Sequence, residues 1–229
     1  MAVKPIGIAT VSPWLKSVPM LKISIVQVTD FQQNCCIVFD DETMAGVVVD
    51  PGGDLDKVIA AVGDLGVNIE AVWLTHGHLD HAGAAEAAKA HFKTQIVGPH
   101  KADKLLLDNI VMAAAGYGLT GFANASPDRW LDEGEVVSIG SHEFEVRHCP
   151  GHAPGHVVYI NHANKMILMG DVLFEGSIGR TDLPGGDHQQ LLDSIANKLM
   201  TLDDDYQFIC GHSAPSTIGK ERKTNPFLQ

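Results

Sequence analysis

The stretch Thr75-His76-Gly77-His78-Leu79-Asp80-His81 places three imidazoles and one carboxylate within six consecutive positions. A neutral imidazole nitrogen ligates zinc, iron or manganese, and a carboxylate suits the harder of these ions. A polar turn with Asp80 as a helix cap is the structural alternative, but a cap needs one acceptor and does not account for three histidines. The stretch therefore indicates a metal site.

The residues on either side of this stretch predict a strand and then a helix. The run Ala71-Val72-Trp73-Leu74 is typical of a buried strand, and residues 84–90 are rich in alanine and favour a helix. A turn from strand to helix at the edge of a sheet can direct several side chains into one cleft. We therefore expect the metal site at a sheet edge.

Apolar periodicity predicts strands and helices in two similar halves of the chain. Strands are predicted at 21–28, 35–39, 46–49, 69–74, 95–98, 136–139, 143–147, 157–160, 166–169 and 206–209, and helices at 55–65, 84–90, 100–108, 191–199 and 218–223. Asp54 and Asp187 are predicted helix caps, and Gly66 is a predicted helix end. This order favours two sheets packed face to face with helices outside. Residues 110–126 are predicted to form a mobile loop, a short helix over the cleft or a plain surface connection.

Three later segments also place metal-competent residues directly after apolar strands. They are Cys149-Pro150-Gly151-His152, Gly170-Asp171 and Cys210-Gly211-His212. The candidate ligands are then His76, His78, Asp80, His81, His152, Asp171 and His212. Seven ligands exceed the needs of one tetrahedral ion and suit two ions that share a carboxylate, which is a hydrolytic arrangement.

Composition limits the partners that we expect. The chain has 229 residues, 45% of them apolar, and a formal net charge of −12 without a Lys/Arg cluster. We expect a small-molecule substrate and neither nucleic acid nor a membrane as partner. Residues 20–229 are predicted to form one domain after an N-terminal extension, residues 1–19. The four cysteines form no CxxC pair, which favours a reducing, cytoplasmic location, with organellar import through residues 1–19 left open. The oligomeric state is also left open.

The motif set resembles a known family. HxHxDH, a distant PGH, an Asp after an apolar strand and a late GH together resemble the metallo-β-lactamase superfamily over about residues 21–229. The segments 176–182 (GSIGRTD), 219–222 (GKER) and 225–228 (NPFL) are similar to those of short bacterial glyoxalase-II-like hydrolases.

The resemblance implies an α+β fold, the αββα four-layer sandwich, with two mixed sheets packed face to face. It also implies two metal sites that hold two divalent ions per chain, with zinc expected and iron or manganese as alternatives. Site one would be His76, His78 and His152, and site two would be Asp80, His81 and His212. Asp171 would bridge the two sites.

The activity implied is hydrolysis of small-thiol thioesters such as S-lactoylglutathione to a hydroxy acid and a free thiol. Asp80 would be catalytic, because it would hold its ion and orient the attacking water. Arg180 is a candidate for contact with a substrate carboxylate, although a structural pair with Asp182 is favoured. Full-length glyoxalase II proteins carry a C-terminal glutathione-holding domain, whereas this sequence ends soon after His212, so we expect a weaker preference for glutathione.

The alternative function is that of a mononuclear iron persulfide dioxygenase acting on glutathione persulfide. These enzymes resemble the chain in the same segments and would use His76, His152 and Asp171. The segments 183–186 (LPGG) and 216–219 (STIG) favour the hydrolase.

Overall fold

The computed structural model describes residues 20–229, and the predicted extension over residues 1–19 lies outside the described residues. The strands are β1 (Leu21–Val28), β2 (Gln33–Asp40), β3 (Ala45–Val49), β4 (Asn68–Trp73), β5 (Gln95–Val97), β6 (Val136–Ile139), β7 (His142–His148), β8 (Val157–Asn161), β9 (Met166–Gly170), β10 (Leu173–Phe174), β11 (Ser177–Ile178), β12 (Gln207–Cys210) and β13 (Ser216–Thr217). The helices are α1 (Leu55–Leu65), α2 (Leu79–Ala82), α3 (Ala85–Phe92), α4 (Lys104–Leu107), α5 (Ile110–Gly116), α6 (His188–Ser194) and α7 (Ile218–Thr224).

The strands form two mixed sheets and one small hairpin. The first sheet has the order β1-β2-β3-β4-β5, in which β1, β2 and β3 are antiparallel neighbours and β3, β4 and β5 are parallel neighbours. The second sheet has the order β13-β12-β9-β8-β7-β6, with β12 and β9 parallel and the other neighbours antiparallel. Strands β10 and β11 pair with each other.

Aromatic side chains fill the space between the two sheets. Trp73 of the first sheet stacks on Tyr159 of the second, with ring centroids 4.9 Å apart, and meets the edge of Phe144 at 5.3 Å. All three are buried, and the Tyr159 hydroxyl donates a hydrogen bond of 2.7 Å to the Leu74 carbonyl. The phenol therefore satisfies a backbone group at the end of β4 while its ring contributes to the core.

Helices cover the outer face of each sheet. Val58 of α1 packs with Val48 of the first sheet, and Leu191 of α6 packs with Phe208 of the second. The layers are therefore helix, sheet, sheet and helix, and the predicted αββα sandwich is confirmed. Within residues 20–229 no helix combines the length and hydropathy that a bilayer crossing demands.

The direction of the strands brings the sequence motifs to one edge. Because β3 and β4 are parallel, residues that follow them lie side by side, and the same holds for residues that follow β9 and β12. Asp50 follows β3, Thr75 comes soon after β4, Asp171 follows β9 and His212 lies just beyond β12. The candidate ligands consequently converge where the two sheets end.

The helix ends agree with the sequence at two of the three predicted positions. The Asp187 carboxylate accepts a hydrogen bond from the Gln190 amide, and Gly66 ends α1 with φ of +71°. Asp54 stands directly before α1 as predicted, but its side chain makes no cap hydrogen bond, because the carboxylate accepts instead from the Thr29 amide and pairs with Lys57. Asp54 therefore ties the turn between β1 and β2 to the start of α1.

We expect Tyr159→Phe to lower the free energy of unfolding by about 1–3 kcal/mol, because the buried Leu74 carbonyl loses its donor. Urea denaturation of both proteins measures the difference. Tyr117→Phe is the control, since Tyr117 is 60% exposed and its change should stay within about 0.5 kcal/mol. Equal losses in the two variants would contradict the role given to the phenol.

Candidate metal centre

The stretch after β4 and the loop after β7 form the first cluster of candidate ligands. His76, His78 and His152 each offer a ring nitrogen, and these atoms lie within 4.8 Å of one another. His152 Nε2 is 2.9 Å from His78 Nδ1 and 3.3 Å from His76 Nε2. The three rings thus surround one point, as ligands of a single ion would.

The second cluster comes from α2 and from the loop after β12. Asp80, His81 and His212 also place one ligand atom each within 4.8 Å of one another. The carboxylate Oδ2 of Asp80 is 3.2 Å from His212 Nε2 and 3.8 Å from His81 Nε2. One carboxylate with two imidazoles is a donor set that zinc, iron and manganese accept.

The carboxylate of Asp171 lies between the two clusters. Its Oδ2 is 3.6 Å from Nε2 of His152, which belongs to the first cluster, and 3.6 Å from Nε2 of His212, which belongs to the second. Its Oδ1 is 3.4 Å from Nε2 of His81. The structure therefore brings together all seven predicted ligands, with Asp171 in contact with both clusters.

Hydrogen bonds at Nδ1 hold four of the five histidine rings. The acceptors are Thr75 Oγ1 for His76 (3.0 Å), Asp50 Oδ2 for His81 (2.9 Å), the Arg180 carbonyl for His152 (2.8 Å) and the Phe31 carbonyl for His212 (3.1 Å). A carbonyl or carboxylate can only accept, and the Thr75 hydroxyl donates its one proton to Asp50 Oδ2, so in these four pairs Nδ1 carries a proton and Nε2 is left as the ligand atom. This is how proteins orient an imidazole for metal binding. His78 is the exception and turns Nδ1 inward.

Asp50 meets His76 and His81 in a third group of potential ligands, but its oxygens are already used. Oδ1 accepts from the Thr75 amide at 2.8 Å, and Oδ2 accepts from the Thr75 hydroxyl at 2.6 Å as well as from His81. Asp50 therefore acts as an orienting group for His81 directly and for His76 through Thr75.

Two buried polar atoms test whether the clusters suit metal ions. His81 Nε2 and Asp171 Oδ1 are buried and have no hydrogen-bond partner among residues 20–229. Unsatisfied buried polar atoms are costly, and a coordinated cation would satisfy both. Gly211 keeps this space open, because a Cβ there would lie 2.1 Å from Asp171 Oδ1. The residues present therefore fit bound metal ions.

The electrostatics of the first cluster and of Asp171 also match ligation. Burial lowers the pKa of His76 well below its usual range, and burial together with His152 lowers the pKa of His78 to about 3. Both rings are thus neutral, which is the form that binds a metal. Burial opposes ionisation of Asp171, but the neighbouring histidines, His81 foremost, hold the pKa of its carboxyl well below its usual range.

Comparison with known proteins identifies the family of the chain. A family model described as the metallo-beta-lactamase superfamily matches residues 28–212. A relative from Haemophilus influenzae named hydroxyacylglutathione hydrolase GloC is 45% identical over 209 residues, which cover 91% of this chain and 98% of the relative. The chain belongs to the metallo-beta-lactamase superfamily.

Two solved structures superpose closely on this chain. BLEG-1 B3 metallo-beta-lactamase is 35% identical, with a TM-score of 0.84 over 90% of this chain and 99% of that one. TTHA1623, solved in a di-iron-bound form, is also 35% identical, with a TM-score of 0.82 over 90% of this chain and 100% of that one. These likenesses confirm the predicted fold. The family match and the hydroxyacylglutathione hydrolase relative together indicate that the protein is a metallohydrolase.

One residue that sequence reasoning missed connects two ligand-bearing loops. The buried Asp103 carboxylate accepts from the amide of Gly77, which lies between two candidate ligands, and from the amide of Gly155, which follows His152 by three positions. Gly155 must be glycine there, because a Cβ would lie 2.5 Å from the Asp103 nitrogen. Nothing in the local sequence around Asp103 indicates this contact, since both partners are distant in the chain.

His156 is a second residue that supports the ligand clusters. Its Nε2 accepts from the Asp171 amide at 2.9 Å, and its ring stacks on His76 with centroids 4.6 Å apart. It therefore positions the backbone of Asp171 and supports one face of His76.

The clusters lie at the floor of a cavity of about 800 Å³. His78, Asp80, His152, Asp171 and His212 reach it, and so does Arg180. The helix α5 lines one wall, so a short helix over the cleft is observed for residues 110–116, whereas residues 117–126 form turns and irregular backbone. The Arg180 guanidinium pairs with the Asp182 carboxylate through two contacts of 2.7 Å, as the favoured structural interpretation expected.

We expect Asp103→Asn to change how stability depends on pH. Burial raises the pKa of the Asp103 carboxyl to about 7, so between about pH 4 and 7 the folded state binds more protons than the unfolded state and stability falls as pH rises. The asparagine side chain of the variant does not titrate in this range. In urea denaturation of metal-free protein, the stability of the wild type relative to the variant should fall by up to ~3 kcal/mol between pH 5 and 8.

The control is Asp108→Asn, a substitution of a half-exposed aspartate at the end of α4. Its stability difference from the wild type should not change with pH over the same interval. Parallel pH profiles for the wild type and Asp103→Asn would contradict the assignment of a buried carboxyl with a raised pKa at position 103.

Proposed function

We propose that the protein is a dinuclear metal-dependent hydrolase of small-thiol thioesters, with S-lactoylglutathione or a similar compound as substrate. The observation that carries the proposal is the Asp171 carboxylate, which lies within 3.6 Å of a ring nitrogen from each cluster. A carboxylate shared between two ions is the arrangement that supports attack by water on a carbonyl group. The 45% identical relative named hydroxyacylglutathione hydrolase GloC supports this substrate class.

Each ion would have its own ligands. His76, His78 and His152 would hold one ion, Asp80, His81 and His212 would hold the other, and Asp171 would contact both. When bound, the ions would supply Lewis acidity, which polarises a carbonyl group and makes water nucleophilic near neutral pH. Zinc is the expected metal, and the di-iron form of TTHA1623 supports iron as the first alternative, with manganese next.

The chain's own side chains would orient the reactants. Asp80 lies both in the second cluster and on the cavity floor, so its carboxylate can accept a hydrogen bond from the attacking water. The substrate thioester would enter the cavity with its carbonyl group towards Asp171. A thiolate leaves without prior protonation, so the reaction requires no proton-donating side chain beside the sulfur. The products would be a carboxylate and a free thiol.

The dioxygenase alternative has less support. A single iron held by His76, His152 and Asp171 would leave the second cluster, Asp80 with His81 and His212, without a function. The buried and unpartnered Nε2 of His81 lies in that second cluster. The described residues therefore favour two ions over one.

We expect about two metal equivalents per chain after metal-replete expression, because the two clusters each offer a complete donor set. Elemental analysis of the purified protein measures this. His78→Ala and His212→Ala, which each remove a ligand from a different cluster, should each reduce the content to about one equivalent. One equivalent of iron in the wild type, with oxygen uptake on glutathione persulfide, would favour the dioxygenase.

We expect the wild type to hydrolyse S-lactoylglutathione and Asp171→Ala to lose at least ~1,000-fold in kcat/KM, about 4 kcal/mol of barrier, since both ions lose a ligand. Released thiol gives the rate, and circular dichroism checks that the variant folds. Asp203→Ala, which alters an exposed acid outside the cavity, is the control and should keep wild-type turnover. A folded Asp171→Ala protein with near wild-type turnover would refute the bridging role.

A further inference from the structure

An apolar wall lines the cavity that the two ligand clusters reach. Leu105 of α4 and Met112 of α5 line the cavity and are 73% and 68% exposed, and Tyr117, just after α5, lines it at 60% exposure. Phe31, from the turn after β1, lines the cavity as well and meets the edge of the Tyr117 ring, with centroids 6.3 Å apart. Large apolar side chains left exposed around one opening indicate a binding surface.

Apart from the proposed metal ions, cationic side chains are scarce in the same cavity. Arg180 is the one cationic side chain among the described residues that line it, and Asp182 already engages its guanidinium at two atoms. The floor carries the carboxylates of Asp80 and Asp171. Glutathione carries two carboxylates, and away from the proposed ions the described lining offers them only the Arg180 side chain, which Asp182 already engages.

We propose that the cavity selects thioesters whose acyl group is apolar, and that this acyl group lies against the wall formed by Leu105, Met112 and Tyr117. The proposal rests on the proposed thioester hydrolysis and specifies its substrate. The wall is continuous with the candidate ligands His78 and Asp80 through Leu79, which lines the cavity between them. A substrate whose carbonyl group lies at the cluster therefore has its acyl chain within reach of the wall.

The size of the cavity agrees with this substrate class. A volume of about 800 Å³ lies in the range of pockets that enclose drug-sized ligands. A lactoyl group has three carbons and would leave most of the apolar wall in contact with water. An acyl chain of six to eight carbons would cover it, and burial of each methylene favours binding.

A series of N-acetylcysteamine thioesters tests the proposal, with acetyl, butyryl, hexanoyl and octanoyl groups on the same small, uncharged thiol. We expect kcat/KM of the metal-replete protein to rise at least ~30-fold from acetyl to hexanoyl. Full burial of one added methylene contributes ~0.8 kcal/mol, which raises kcat/KM about fourfold at 1.36 kcal/mol per decade. S-lactoylglutathione, measured beside them, reports the proposed function independently.

Paired variants on α5 locate the effect. Met112→Ser should reduce the hexanoyl-to-acetyl ratio of kcat/KM at least threefold, because it removes apolar surface from the wall. Val111→Ser is the matched control, since Val111 is 50% exposed on the same helix and does not line the cavity. Its ratio should equal that of the wild type.

A binding measurement separates this inference from the proposed function. S-alkyl thioethers of N-acetylcysteamine cannot be hydrolysed, and calorimetry should show their affinity for the protein rising with chain length and falling in Met112→Ser. Hydrolysis of S-lactoylglutathione with flat chain-length profiles in both series would overturn the acyl-group proposal and leave the hydrolase intact. Chain-length-dependent binding without turnover of any thioester would overturn the hydrolase and leave the apolar site.

Discussion

The buried Asp50 carboxylate is the group on which the metal centre depends. It accepts from the Thr75 amide, the Thr75 hydroxyl and His81 Nδ1, and the Thr75 hydroxyl accepts in turn from His76 Nδ1. One side chain therefore orients a histidine of each cluster. Asp50 holds φ of +53°, which is unfavourable for a residue with a Cβ, so the local backbone is strained at this position. The parallel pairing of β3 with β4 places Asp50 beside Thr75 and makes the contact possible.

Hydrogen bonds between the two sheets keep the clusters together. The backbone amide of Asn34 in β2 donates to the Gly211 carbonyl at 2.7 Å, next to His212. The backbone amide of Val157 in β8 donates to the Thr75 carbonyl at 2.8 Å, next to His76. Each bond joins one sheet to the other beside a candidate ligand. Apolar packing around Trp73 fixes the distance between the sheets, but it is non-directional, so these bonds supply the alignment that metal ligands need.

The sequence predicts the parts of the site that depend on local pattern. Strand periodicity and the residues that follow each strand are local features, and they were enough to name the seven candidate ligands, which the structure brings together. The contacts of Asp103 with two backbone amides, and the contact of Asp54 with the Thr29 amide, join residues that are 25 to 52 positions apart. No local pattern encodes such contacts. The inward Nδ1 of His78 likewise follows from the fold, because a side-chain rotamer cannot be read from spacing.

The ligands and the cavity wall come from different kinds of structure, and this separates chemistry from substrate choice. The ligands lie beyond the ends of hydrogen-bonded strands and are held by Asp50 and by cross-sheet bonds. The wall comes from α4 and α5, two short helices after β5 that are anchored to the core by a few buried side chains such as Leu107 and Ile110. Substitutions on the exposed faces of these helices can therefore change what the cavity accepts without moving the clusters. Asp103 connects the wall to the ligands, because it directly precedes α4 and its carboxylate also holds the loops that carry His76 and His152.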